Sequence, residues 1–554
     1  MYNLEILLNQ IDGMGYKGYK DIKGSYDFKE YILNIINVQG DPFASPSFFE
    51  IEIDIKNLKL PMEVFKEDIK IATEDFLLRE ISKNIKRINT NQIGSGKSGH
   101  IYILKPSNKI LKRSAIEIIK KKLSIKFYVG LPAKGRRILG REAIKIIFEK
   151  LPGIYKIIKN VNIEKLKNHI NLYRNIQKIR EYLKKNNYIL FIANDSILPR
   201  ESSISEKPMK NAIKFQSPKE LEIEIPLDKN KIIKGMGIKE GITVITGGGF
   251  HGKTTLLEAI EMGIYNHIYG DGREYVITRE DAIKIKAENG RFINNTNISS
   301  FIQNLPNKKD TEKFFTENAS GSTSQAANII EALEIGSRFF LIDEDTTATN
   351  FMIRDDFIKK IIADNKEPIR PFIENIKALK EQNDTSVIMI VGSLSEYFKI
   401  ADTVLMLDEY RVKNITNKVK KILVDDVMHK NNKIIVTDRK LNIEYCRNIV
   451  FNNKFKIKNK GFDELNFGNY NIDFRNIEQI VEEGQIIFIG ELIKRIFKRK
   501  NQTESLYNIL NSLENRLENE NISEILNAKS GKYCGIRKYE IAMAINRLRE
   551  QIIK

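Results

Sequence analysis

The sequence predicts an α/β core set between two flanking regions, and three observations carry that reading. A short β-branched apolar run, GITVIT (241–246), leads into a glycine-rich loop, GGGFHGKT (247–254). The loop leads in turn into TLLEAIEMGI (255–264), whose apolar residues recur at helical spacing. Two further apolar runs of strand length follow, Phe339 to Ile342 and SVIMIV (386–391). Unbroken apolar runs of this length suit parallel strands covered on both faces. The core spans 216–410: it follows a polar, proline-containing connector, ISEKPMKNAIKFQSPKE (204–220), and closes after the strand ADTVLMLDEY (401–410).

A chain of 554 residues is too long for one ordinary core, so several domains are expected. The hydrophobic content of 42% suffices for globular packing throughout. No apolar run approaches the roughly 18 residues that cross a bilayer. The start has no basic segment leading into an apolar stretch, so no secretory signal is expected there. The two cysteines, Cys446 and Cys534, have no metal-ligand spacing. So few exclude a disulfide framework and point to a reducing cytoplasm. The net charge of +19 invites a polyanionic partner. Lysines scattered by compositional drift would instead mean only solubility, and clustering has to decide between the two.

Two loops compete for a phosphate. The full phosphate-loop pattern needs G-x-x-x-x-G-K-[ST] between a strand and a helix. Gly247, Gly252, Lys253 and Thr254 meet it, with Gly248 and Gly249 inside the loop and Thr255 in the first helical turn. Free N–H groups and the positive end of the helix dipole would face a β-phosphate. Lys253 can reach the β and γ oxygens, and the Thr254 hydroxyl suits Mg²⁺. The rival, NQIGSGKS (91–98), has Asn91 where the first glycine is required. It continues into GHIYILKP (99–106), an alternating run that reads as a strand. Without a helix start it lacks an anion field; it is read as a turn between strands, from which Lys97 could touch one backbone phosphate of a nucleic acid.

Asp343 and Glu344 end the run that begins at Phe339. Asp343 is placed to hold Mg²⁺ and Glu344 to orient and polarise an attacking water. Between loop and acidic pair lies TENASGSTSQAANIIEALEIGS (316–337), where Ser320, Gly321 and Ser322 stand just before a helix that includes Ile329, Ile330 and Leu333. Alone this is an N-capped helix. Following a phosphate loop and preceding an acidic strand end, it has the order found in ABC-type ATPases.

The chain resembles the family of ATPases of the ABC class over nearly its whole length. The resemblance rests on QGDPFASPS (39–47), GSGKSGHIYI (94–103), VGLPAKGRRILGREA (129–143) and LPRESSISEKPM (198–209), on GMGIKEGITVITGGGFHGKTTLLEAI (235–260) and GDGREYVIT (270–278), and on TENASGSTSQAANIIEALE (316–334) and GKYCGIRKYEIAMAINRLR (531–549). It implies an ABC-type P-loop ATPase core in which ASGSTSQ (319–325) replaces the usual LSGGQ. In such folds that segment caps the γ-phosphate bound by a second subunit, so a homodimer sandwiching two ATP molecules with Mg²⁺ is implied. DTTATN (345–350) falls at the D-loop, with Asn350 in place of its Asp. Gly392 and Ser393 stand where the switch histidine is expected, which implies slow hydrolysis. The Q-loop is expected within 287–303, and Phe215 is a candidate for stacking on adenine.

The N-terminal region (1–215) is expected to be an α+β domain. It gathers Lys97, Lys105, Lys109, Lys112, Arg113, Lys120, Lys121, Lys122, Lys126, Lys134, Arg136, Arg137 and Arg141. Tyr102, Phe127 and Tyr128 interleave with them, as stacking residues do in single-strand binding; packing in a core is the alternative. Lys97, Lys134, Arg136 and Arg137 are expected to contact RNA or DNA. The smaller C-terminal region (411–554) is expected to be mainly helical, with Ile541, Ile545, Leu548 and Ile552 on one helical face for packing or dimerisation. The five histidines share no metal spacing, and His251 reads as structural. The sequence thus predicts a cytoplasmic, Mg²⁺-dependent ATPase coupled to RNA or DNA. The alternatives are a nucleic-acid scaffold in which ATP only fixes the dimer, and a transporter subunit, which the lack of a membrane segment disfavours.

Overall fold

The computed structural model describes residues 2–89, 93–228, 231–363, 366–423, 432–500 and 504–554; Asn91 lies outside them. The apolar runs form one six-stranded sheet. Its strands, numbered within the sheet, are β1 (Ile242–Gly247), β2 (Ala282–Ile285), β3 (Phe339–Asp343), β4 (Ser386–Ile390), β5 (Thr403–Asp408) and β6 (Arg411–Asn414). The spatial order is β2-β3-β4-β1-β5-β6. All neighbours are parallel except the β5–β6 hairpin. Phe339 to Ile342, Val387 to Met389, and Val244 with Ile245 are fully buried, as a sheet covered on both faces requires. Helix α1 (Lys253–Met262) follows β1, and helix α2 (Gly321–Glu334) precedes β3. Parallel register brings Gly247, Asp343 and Ile390 to the same edge: Gly247 lies opposite Leu407 and Asp343 opposite Ile390. Loops at that carboxyl edge are where ligands bind in open α/β sheets.

The chain divides into two compact units, 1–174 with 519–535, and 175–518 with 536–554. Residues 175–215, grouped from the sequence with the N-terminal region, sit with the core because the strand Tyr188–Ala193 pairs with Ile232–Lys239 and Val276–Thr278. Glu222–Pro226 completes this antiparallel sheet. The first unit is α+β, as expected. Its antiparallel strands Gly24–Asp27, Ile32–Asn37, Ser47–Asp54, Lys122–Val129 and Ile101–Tyr102 lie side by side, and Ile116–Ile119 also pairs with Lys122–Val129. The helix Lys70–Ile88 buries Phe76, Leu77, Leu78 and Ile81.

Part of the basic run belongs to this core. Arg113 is buried against Asp75, which also accepts from Arg79 at 2.7 Å, and Lys126 is buried against Glu117. Asp75 is held well below the usual carboxylate range despite its burial, by the charges of Arg79 and Arg113 and by His169. These cations neutralise internal carboxylates and cannot serve a polymer. Phe127 is fully buried as well, which removes it from the stacking set.

The C-terminal region is mainly helical, with Ile443–Val450, Glu483–Phe497, Leu506–Asn519 and Lys538–Arg547 around a small sheet of Ile457–Lys460, Glu464–Phe467 and Tyr470–Asp473. Ile541, Ile545, Leu548 and Ile552 are all fully buried. The helix ends at Arg547, however, so the last two reach the core from the segment beyond it. No helix of the described residues is long and apolar enough to cross a membrane.

A buried ion pair fastens α2. The Arg439 guanidinium donates to Glu334 Oε2 and to Thr296, Asn294 and Asn546, while its backbone N–H donates to Glu334 Oε1 at 2.8 Å. Removing one member of a buried pair strands the other charge, at about 3–5 kcal/mol. Arg439→Met is therefore expected to lower the urea midpoint sharply, and Arg439→Met with Glu334→Leu to recover part of the loss. Equal midpoints for Arg439→Met and the parent would refute the role given to this pair.

Candidate functional site

The loop after β1 is shaped by its glycines. Gly247 has φ 140°, and a Cβ there would lie 2.3 Å from the Leu407 carbonyl oxygen, so no side chain fits. The chain turns again at Phe250 and Gly252, with φ 62° and 93°. Gly252 is the N-cap of α1, and no side chain caps the helix. The first turn, with Lys253, Thr254 and Thr255, therefore presents its N–H groups to the loop side, the arrangement that binds anions. Lys253 Nζ donates to the carbonyls of Gly247 and Gly248, both at 2.8 Å, which holds its charge over the loop. Thr254 is exposed beside it. His251 Nδ1 accepts the Glu409 N–H at 2.9 Å, so this imidazole fastens the loop to the β5–β6 hairpin.

Asp343 and Glu344 stand one strand beyond β4, at the same edge. Asp343 is 4% exposed, and burial raises its pKa, while the hydrogen bond from the Asp345 N–H and the charges of Lys284 and Lys253 oppose the rise. A desolvated carboxylate of this kind gains from a divalent cation. Among the described residues no three His, Cys, Asp or Glu side chains gather as a metal cage. An ion held by one carboxylate, one hydroxyl and substrate phosphates needs none, and that is the usual manner of Mg²⁺. Asp343 and Thr254 fit it.

Glu344 is gripped from β4. Its Oε2 accepts the N–H groups of Gly392 at 2.6 Å and Ser393 at 3.1 Å, and its Oε1 accepts the Ser393 hydroxyl. The residues standing in for the switch histidine thus bond to the carboxylate. Nothing in the sequence signalled this contact, since it joins two strand ends 48 positions apart.

Ser320, Gly321 and Ser322 open α2. Ser320 is the N-cap and accepts the Thr323 N–H at 3.4 Å, while Gly321 and Ser322 fall inside the first turn rather than before it. Ser324 Oγ donates to the Gly321 carbonyl and accepts the Glu288 N–H, both at 2.8 Å. Gln325 Oε1 accepts the Ala348 N–H at 3.0 Å, and the Ala287 N–H donates to Thr346 at 3.0 Å. The segment after β2, the start of α2 and the stretch 345–350 are thereby tied together. Among the described residues no hydrogen bond or ion pair joins Ser320, Gly321 or Ser322 to the loop 247–254 of the same chain. Phe215 is 5% exposed, and its backbone bonds to Asp195 and Ser196. Its ring has no open face for a base.

In the first unit, GSGKSG, GDPFASPS and GLPAKGRR meet at one end of the sheet. The Ser95 N–H donates to Ala133 O at 2.7 Å, Gly135 N–H to Ser95 Oγ at 2.9 Å, and Lys97 N–H to Pro42 O at 3.0 Å. Gly94 and Gly96 have positive φ, and Cβ atoms there would strike Ala133 O and Pro42 O. These loops expose Lys97, Lys134, Arg136 and Arg137 together. Arg136 Nε is 2.8 Å from Asp41, and Arg137 donates to Gly13 O. Lys532 joins them from far along the chain: its ammonium lies 4.9 Å from the Tyr128 ring centroid, and partial desolvation together with Lys97 lowers its pKa.

A model of the P-loop domain of ABC ATPases matches residues 162–440, half of the chain. The chain belongs to the family of ABC-class ATPases. A model described as the N-terminal part of the ATPase of the ABC class matches residues 1–162 of this family member, and one of the MRB1590 C-terminal domain matches 456–554. Uncharacterized protein MJ1628 of Methanocaldococcus jannaschii is 33% identical over 284 residues, 49% of this chain and 62% of that one, so the chain spans less than two thirds of this relative. Among solved structures, cbiO1 from Clostridium perfringens, part of the ABC transporter complex cbiONQ, is 14% identical with a TM-score of 0.25, covering 41% of this chain and 87% of its own. The ADP conformation of MJ1267, an ATP-binding cassette of an ABC transporter, is 12% identical with a TM-score of 0.26, covering 43% and 95%.

A hydrogen bond to a charged group contributes about 1.5–3 kcal/mol, so Lys253→Ala is expected to weaken nucleotide binding roughly tenfold to a hundredfold. Lys97→Ala is expected to leave it intact. Titration with a fluorescent ATP analogue checks both, and the opposite pattern would move the nucleotide to the other loop.

Proposed function

We propose that this ABC-class ATPase binds and hydrolyses Mg²⁺-ATP at the carboxyl edge of its parallel sheet, closing as a homodimer around two nucleotides. The observation that carries the reading is the convergence of a complete phosphate loop, Asp343 and Glu344 at the ends of strands in one sheet. The α1 N–H groups and Lys253 take the β and γ oxygens, with the lysine leaving the carbonyls it bridges for the stronger negative charge. Thr254 and Asp343 would hold Mg²⁺, which would neutralise charge on the phosphate oxygens. Glu344 orients the attacking water. Gly392 and Ser393 fix its direction but occupy carboxylate lone pairs that would otherwise accept from that water. This supports slow turnover. The Ser320-capped start of α2 would meet the γ-phosphate of the second subunit, since within its own chain it bonds elsewhere.

The exposed cations Lys97, Lys134, Arg136 and Arg137 support a nucleic-acid partner for the first unit, because loops bearing concentrated positive charge meet backbone phosphates. The engaged state of Glu344 favours a second reading, in which ATP fixes the dimer with little turnover. Steady-state hydrolysis with and without RNA separates the two: stimulation supports the enzyme, and negligible turnover the scaffold.

Removing a positioned general base lowers rate by about 10²–10⁴-fold. Glu344→Gln is expected to lose turnover on that scale, retain ATP and accumulate dimer on a sizing column; hydrolysis at the parent rate would overturn its role. For the polymer, Lys134→Ala with Arg137→Ala is expected to reduce the slope of log affinity against log salt by about one for each phosphate left without its cation, measured with a single-stranded oligonucleotide. An unchanged slope would remove these loops from the interface.

A further inference from the structure

The start of α2 brings hydroxyl and N–H groups to its surface but no cation, since residues 316–325 contain neither Lys nor Arg. Gly392 and Ser393 add none from the end of β4. Of the groups assigned above to the γ-phosphate, Lys253 is therefore the one protein cation. Phosphoryl transfer spreads negative charge over the γ oxygens and gains from a second.

Arg549 stands beside the start of α2. Its guanidinium donates to Gly290 O at 2.8 Å and to Glu317 O at 3.3 Å. These carbonyls belong to two stretches that bond to each other: the Gly290 N–H donates to Ala319 O at 2.8 Å, and the Ala319 N–H to Arg291 O at 2.9 Å. Ser320 follows at once. A Cβ built on Gly321 would lie 3.4 Å from Asn289 Oδ1, so the first turn of α2 rests on the same stretch. Glu317 is three residues before Ser320, and three residues span no more than about 11 Å.

Its partners set this arginine apart. Arg291, Arg439, Arg537 and Arg547 are each paired with a carboxylate, of Glu331, Glu334, Glu540 and Glu288 respectively. Arg549 is exposed and, among the described residues, bonds to backbone carbonyls and pairs with no carboxylate. Arginine bonds to phosphate more strongly than to a neutral carbonyl, so these acceptors are readily exchanged for it. Among the described residues, no hydrogen bond joins Arg549 to the loop 247–254 of its own chain.

We propose that Arg549 is a catalytic residue acting across the interface, its guanidinium meeting the γ-phosphate bound by a second copy of the chain. The assignment rests on the dimeric nucleotide reading given above. In the step it serves, the water oxygen bonds to the γ-phosphorus while the bond to the β–γ bridging oxygen breaks. The electron pair of that bond stays on ADP, and the water proton passes to Glu344. Arg549 keeps its protons and offsets the charge on the γ oxygens.

Steady-state hydrolysis of Mg²⁺-ATP by Arg549→Gln, by Lys253→Ala and by an equal mixture of the two tests this. Glutamine keeps a donor for a carbonyl and loses the charge. Arg549→Gln is expected to keep the parent's melting temperature and to lose turnover on the order of 10³-fold, the scale of an arginine that serves a transferring phosphoryl group. A mixed dimer unites the intact loop of one chain with the intact Arg549 of the other. Turnover is expected to return on mixing to about a quarter of the parent's, since half the dimers are mixed and each holds one complete site. An arginine that served its own chain's nucleotide, or merely tied 290 to 317, gives no recovery on mixing. That result, or unchanged turnover in Arg549→Gln, would overturn the assignment. Negligible turnover by a parent that binds ATP removes the step and the assignment with it, whereas a parent that binds no ATP brings down the nucleotide reading itself.

Discussion

Concentrated negative charge is stable against a protein where backbone N–H groups and a cation are gathered to meet it, and the second unit gathers both at one place. Parallel strands in register end along one edge, and everything built on those ends faces the same space. β1 contributes the glycine loop and Lys253, β3 the two acids, β4 the amides and hydroxyl on Glu344, and β5 the hairpin whose Glu409 N–H meets His251. Shift any strand by one residue and its side chains exchange faces, so the buried apolar runs that set the register also set the chemistry.

The grip of Gly392 and Ser393 on Glu344 gives this edge a distinct character. A carboxylate receiving three donors is well oriented and has less capacity left for water. The same contact serves an enzyme if nucleotide or partner binding loosens it, and a scaffold if nothing does. Hydrogen bonds also tie the segment after β2 to α2 and to 345–350, so the start of α2 is joined to the backbone that follows Glu344. In the first unit Gly94 and Gly96 admit the carbonyls of Ala133 and Pro42, and that close approach sets the loop of Lys97 beside the loop of Lys134.

Much of the core was legible because its signals are local. The phosphate loop, the three apolar strands and the helix that ASGSTSQ opens each announce themselves within a few residues, through glycine placement and apolar period. What was not legible depends on contacts distant in sequence. Arg113, Lys126 and Phe127 read as part of a basic, aromatic surface, yet Asp75, Glu117 and the sheet take them into the core. Phe215 reads as a free aromatic and is enclosed. Ser393 on Glu344, Lys532 beside Lys97 and Arg549 on Gly290 join residues whose local sequences carry no mark of one another. The helical stripe Ile541 to Ile552 misleads in a different way, since burial continues past the helix end and mimics its period.

Calorimetric titration of Mg²⁺-ATP into the folded chain tests the central claim most directly. One adenine nucleotide is expected to bind per chain, with affinity that falls when magnesium is chelated. Folded protein that takes up no nucleotide in the presence of magnesium would contradict the account at its root.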